Sequence, residues 1–141
     1  MSCNFCEIAA GRRPAHIVLE SDRVVGFLDS RPLFPGHTLL VPTVHHETLM
    51  DLPADLLTEL FSDVQLLARA LEESLGAAGS FVAVNNRVSQ SVPHVHVHVV
   101  PRRPKDGLRG FFWPRQRYRD DQHAAETATT LRAAVEGLRR G

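Results

Sequence analysis

The chain has 141 residues and a mass of 15.7 kDa, a length that fits one domain with a core of its own. Sixteen basic side chains balance 16 acidic ones, so the broad basic field of a general nucleic-acid binder is absent. Apolar residues at 43% and charged residues at 23% describe a globular chain rather than a disordered one.

Two cysteines stand against eight histidines. Cys3 and Cys6, three positions apart, are no disulfide framework. The first seven residues have neither a basic nor an apolar signal region. No apolar run approaches the ~20 residues of a membrane helix. The expectation is a cytoplasmic protein with no membrane and no nucleic-acid partner.

Short apolar runs at 17–19 and 24–28, split by Glu20-Ser21-Asp22-Arg23, read as a hairpin. Residues 29–36 hold Pro32, Pro35 and Gly36 and read as a loop. A strand follows at 37–41, stopped by Pro42. Residues 51–75 read as a long helix. Asp51 is its expected N-cap, Pro53 lies near its first turn, and Gly76 ends it. Leu56, Leu60, Val64, Leu67, Leu71 and Leu75 make its apolar stripe. Strands are expected at 81–84 and 94–100, the latter stopped by Pro101. Residues 101–120 are irregular, and a last helix fits 121–139. The reading is α+β: about five strands, joined mainly by short turns into an antiparallel sheet, one long helix and a C-terminal helix. One domain covers 1–141, with about 115–141 as a C-terminal extension.

His94-Val95-His96-Val97-His98-Val99-Val100 alternates strictly. On a strand, Val95, Val97 and Val99 face the core, and the three imidazoles share the opposite face at steps of ~6.6 Å. A solvated face needs only polar residues. Three imidazoles suggest a metal site, or a nucleophile with supporting donors.

This segment resembles the histidine triad signature, His-φ-His-φ-His-φ-φ with φ apolar, and Gln90-Ser91-Val92 resembles the stretch that leads into it. Phe27-Leu28-Asp29-Ser30-Arg31-Pro32 with Pro35-Gly36-His37 resembles the nucleoside-binding stretch of that family, and Phe5-Cys6-Glu7-Ile8 its opening segment. The likeness runs from residue 3 to about 114. One departure stands out: the path from Asn86 to Gln90 is short, and Ser89 occupies a position where glycine usually precedes the glutamine.

The resemblance implies nucleotidyl transfer from a purine nucleotide derivative to water. His96 is the implied nucleophile, with His98, Gln90 and Ser91 as donors to the α-phosphate. His37 neighbours them. Asp29 would take the ribose hydroxyls, since a carboxylate can accept from both; read from the residues alone it is equally a turn residue. Phe5, Ile8 and Phe27 would enclose the base, with Asn85 or Asn86 near the ribose or phosphate. The leaving group could be an amine, a second nucleotide or an acyl group. A phosphorylase, or a non-catalytic nucleotide-binding module stabilised by zinc, is the alternative.

Cys3-x-x-Cys6 is half a zinc site, or simply two reduced thiols or a redox pair. By the same resemblance the ligands are Cys3, Cys6, His45 and His94, with Zn²⁺ structural. A homodimer is implied as well. His16, His46 and His123 are expected at the surface without a role. Residues 105–119, with Lys105, Arg109, Arg115, Arg117, Arg119 and Phe111-Phe112-Trp113, read either as a solvated basic loop or as a contact for the leaving group or the neighbouring subunit.

Overall fold

The computed structural model describes residues 2–108 and 115–141. Arg109, Phe111, Phe112 and Trp113 lie outside these. The chain forms two compact units, one ending at Asp106 and one beginning at Gly107. Among the described residues no helix is long and apolar enough to cross a membrane.

The first unit is built on five antiparallel strands: β1 (Ile17–Glu20), β2 (Val24–Leu28), β3 (Thr38–Pro42), β4 (Gly79–Ala83) and β5 (Val97–Arg102). Their order across the sheet is β1-β2-β3-β5-β4. β3 is central and buried along its whole length, as its near-continuous apolar sequence requires. One face of the sheet is covered by α2 (Ala54–Leu75). Leu56, Leu60, Val64, Leu67 and Leu71 of this helix pack on Val24, Leu40, Val97 and Val99. The predicted stripe therefore meets the sheet, except at Leu75, which stays 45% exposed at the helix end. Gly76 ends α2 with φ +66°, the left-handed backbone that glycine adopts without strain.

The opposite face is covered by a short helix, α1 (Asn4–Ala9), which sequence patterning did not reveal. Six residues are too few to show a helical period. Phe5 of α1 joins Val25, Phe27, Leu39 and Val41 in a second core cluster. The two clusters follow from strand alternation: Val24 and Leu40 face α2, while Val25, Phe27, Leu39 and Val41 face α1.

β3 runs through Pro42, where it was expected to stop, and β4 starts two residues earlier than expected; three further boundaries differ. Asp51 is not the N-cap of α2. It closes a capping box with Thr48 around a short 3-10 turn, and Pro53 occupies the cap position. β5 begins at Val97, so His94 and His96 precede the ladder; Val95 N–H donates instead to His46 O at 2.8 Å. β5 also runs through Pro101. Pairing with β3 ends at Val99, and beyond it only β4 lies alongside, so the missing N–H of proline costs no bond to β3.

In the second unit, α3 (Asp121–Arg140) is capped by Asp120, whose carboxylate accepts from His123 N–H at 2.8 Å. Arg139 and Arg140 in its last turn complement the helix dipole.

Candidate active site and metal centre

A cleft of about 940 Å³ opens on the α1 side of the sheet, near the upper end of the range for small-molecule sites. Strand register builds its floor. Phe27 pairs with Leu39, and Leu39 with His98, so these three side chains stand in one row on one face. Phe5 closes the row from above, its ring edge-on to Phe27 at 5.3 Å and to His96 at 5.1 Å.

Four imidazoles have their tautomers set by neighbouring groups. A carbonyl can only accept, so the ring nitrogen beside it carries the proton. His94 Nε2 donates to Pro42 O at 2.8 Å, which leaves the Nδ1 lone pair facing the cysteines. His96 Nδ1 donates to His94 O at 2.8 Å, which leaves its lone pair on Nε2. His37 works the other way. Its Nδ1 accepts Leu33 N–H at 3.1 Å, so Nε2 bears the proton and donates to His98 Nδ1 at 3.0 Å. His98 then carries its own proton on Nε2. These side chains have little or no water contact: His94 is 0% exposed, and His37 and His96 are each 4% exposed. Burial pushes His98 down to about 4, helped by neighbouring His96 and His37. It also lowers His37, against the pull of Asp29.

Asp29 is a turn residue that also borders the cleft. Its Oδ1 accepts Arg31 N–H at 2.9 Å, an Asx turn, and the residue also lines the cleft. Its Oδ2 lies 3.6 Å from His37 Nε2. Asp29, His37 and His98 are close enough to hold a cation, but the Leu33 N–H places the proton on His37 Nε2. That proton is donated to His98 Nδ1, and the Asp29 carboxylate stands beside the pair as an electrostatic neighbour.

Phe5, Ile8, Phe27, Asp29, Ser91, His96 and His98 all line the cleft. Gln90, Asn85 and Asn86 are not among its lining residues. Both ends of the Gln90 amide are engaged: Oε1 accepts Arg87 N–H within its own loop and Nε2 donates to Glu47 O of the segment before α2, each at 2.7 Å. Asn86 Oδ1 accepts Leu49 N–H at 2.9 Å. His37 supports His98 from behind. The cleft also takes in Asn4, Arg13, His16 and Arg31. His16 was expected to have no role, and no motif gave Asn4 or Arg13 one; Arg31 belongs to the 27–32 stretch already singled out. The docking of α1 and of the loop into β1 brings Asn4, Arg13 and His16 to the cleft, and the loop after β2 brings Arg31.

Cys3, Cys6, His45 and His94 converge from three separated segments, with all four ligand atoms within 4.8 Å of one another. Cys3 Sγ lies 3.4 Å and Cys6 Sγ 3.5 Å from His94 Nδ1, and Cys6 Sγ lies 3.4 Å from His45 Nδ1. Tetrahedral zinc with ordinary Zn–S and Zn–N lengths would set S···N near ~3.5 Å, so the residues fit the ion. Burial holds His94 down at about 4, hence neutral as a ligand must be. Its second nitrogen is fixed by Pro42 O, as metal-bound imidazoles require.

The HIT domain family model matches residues 10–105. The chain belongs to the histidine triad family. A Zn-bound histidine triad family protein from Mycobacterium smegmatis is 38% identical in a comparison covering 99% of this chain and 97% of that one, with TM-score 0.73. An adenosine 5′-monophosphoramidase of Candida albicans is 30% identical over 80% of this chain and 78% of its own length. An adenylylsulfatase of Arabidopsis thaliana is 33% identical over 75% of this chain; the match spans 55% of that longer relative.

Proposed function

We propose that this protein hydrolyses a purine nucleotide derivative at its α-phosphate through a nucleotidyl-His96 intermediate. The observation that carries this reading is the His94 carbonyl on His96 Nδ1, which leaves Nε2 as the nitrogen free to attack in a cleft of nucleotide size. Nε2 attacks phosphorus, forming an N–P bond. The leaving group departs with the electron pair of its own bond to phosphorus and takes a proton from solvent. The imidazolium so formed keeps its Nδ1–H on the carbonyl dipole, which favours the charge. Water then cleaves the N–P bond, releasing the nucleoside monophosphate and restoring His96.

His98 Nε2–H and Ser91 supply donors to the phosphate oxygens. Asp29 accepts from the ribose hydroxyls, and Phe5, Ile8 and Phe27 enclose the base. Gln90 contributes by shaping the loop that delivers Ser91. The relatives named for hydrolysis of a phosphoramidate and of an adenylyl sulfate favour water over phosphate as acceptor. They leave open whether the leaving group here is an amine, an acyl group or a second nucleotide.

Cys3, Cys6, His45 and His94 would hold Zn²⁺ in a structural role, tying α1 to the catalytic segment. A homodimer and a cytoplasmic setting belong to the same proposal, with the unit ending at Asp106 as the catalytic domain and the remainder as an extension.

The test is His96→Gly with a nucleoside 5′-phosphoramidate. The reading expects turnover to fall by at least about 10⁴-fold, and an acid-labile adduct on His96 in wild-type protein quenched during turnover. Unchanged turnover, with no adduct, removes the assignment.

A further inference from the structure

The cleft has a polar end that the reaction above does not use. Its floor runs across the sheet from β5, which carries His98, through β3 and β2 towards β1. The histidines hold the phosphate end, and Asp29 at the end of β2 holds the sugar. The loop entering β1 then lies about three strand spacings, ~14 Å, from β5. Only the base reaches this far.

That loop is fastened at both ends. Arg12 N–H and Arg13 N–H donate to Glu7 O at 2.9 and 3.2 Å, and Leu28 N–H donates to His16 O at 3.0 Å. Two adjacent arginines part company here. Arg12 is spent on Glu7, with Nε at 2.7 Å and a second nitrogen at 3.3 Å from the carboxylate. Arg13 lines the cleft, and among the described residues no carboxylate pairs with it. A guanidinium is donor-only and forked. The Hoogsteen edge of a 6-oxopurine offers two acceptors, O6 and N7, to such a fork. Adenine offers N7 beside an amino group that repels it.

We propose that Arg13 reads the Hoogsteen edge of the base and makes the protein selective for 6-oxopurine nucleotides, guanine and hypoxanthine, over adenine. This rests on the nucleotide reading above.

The experiment compares kcat/KM for the 5′-phosphoramidates of guanosine, inosine, adenosine and cytidine. Guanosine and inosine should be alike and exceed adenosine by about tenfold, within the discrimination a bidentate contact supplies. Arg13→Ala should bring the guanosine-to-adenosine ratio close to one. Arg13→Gln, whose amide pairs one donor with one acceptor, should turn the ratio towards adenosine. A wild-type ratio within twofold, a preference for guanosine that inosine does not share, or an unchanged ratio in Arg13→Ala each overturns the proposal. Arg13 is exposed in a surface loop, so both variants should fold, which circular dichroism checks. If no phosphoramidate is turned over and no nucleoside monophosphate binds by calorimetry, the nucleotide reading itself fails. If all bases are turned over alike, only the base assignment fails.

Discussion

His37 Nε2 donates to His98 Nδ1 across 3.0 Å, and the direction of that bond is decided four residues upstream by Leu33 N–H. A backbone amide in the Pro32–Pro35 loop thus determines which nitrogen of His98 carries a proton into the cleft. His37→Phe keeps an aromatic ring but removes the donor. Loss of an orienting partner of this kind should lower kcat about 10- to 100-fold while changing KM little, and His37→Asn, which retains an N–H, should recover part of the loss. Steady-state kinetics of the three proteins decide it. A loss confined to KM would show that His37 only shapes the binding surface.

Stability should fall with acid. The folded His98 titrates near 4, whereas in the unfolded chain an imidazole titrates near its ordinary 6.5. Between these values the unfolded chain binds a proton that the folded one does not. Stability is therefore full above about pH 6.5 and declines as pH drops towards 4. Asp29, His37 and His96 face this ring; His37 and His96 oppose its protonation and Asp29 favours it. The melting temperature measured from pH 7.5 to 4.5 should drop less steeply in His98→Asn than in wild type.

Phe5 lies between the two cysteines in sequence and stands edge-on to His96 at 5.1 Å. If zinc anchors α1, its removal should loosen the wall of the cleft. Chelation, or Cys3→Ser, should lower the melting temperature by several degrees and raise KM more than it lowers kcat. Metal analysis should find one zinc per chain in wild type and much less in the variant. A melting temperature indifferent to chelation would argue that the thiols hold no structural ion.

Ser89 has φ +61° and Arg87 φ +69°, left-handed backbone that costs a side-chain-bearing residue about 1 kcal/mol or more. Ser89→Gly removes that cost in the loop leading to Ser91. The variant should be more stable by about 1 kcal/mol, read as a gain of a few degrees in melting temperature. The glycine expected before Gln90 by family resemblance thus has a backbone reason, and this chain tolerates serine there at some cost.

Local pattern alone determined much. The spacing of six apolar residues in 51–75 specified the face of α2, and the valines at 95, 97 and 99 specified burial, because helix and strand periods are local properties. The order His-x-His-x-His pointed to the family. Other features depended on contacts between distant segments. Leu33 N–H, Pro42 O and His94 O assign the imidazole protons, and backbone groups leave no mark in sequence. The metal centre needed Cys3, Cys6, His45 and His94 brought together by folding; spacing alone offered only the first pair. Arg12 and Arg13 are the same residue side by side, and only the docked α1 turns one towards Glu7 and leaves the other on the cleft. Sequence pointed to the chemistry, and tertiary structure placed the imidazole protons, gathered four side chains able to hold a metal, and set Arg13 on the cleft.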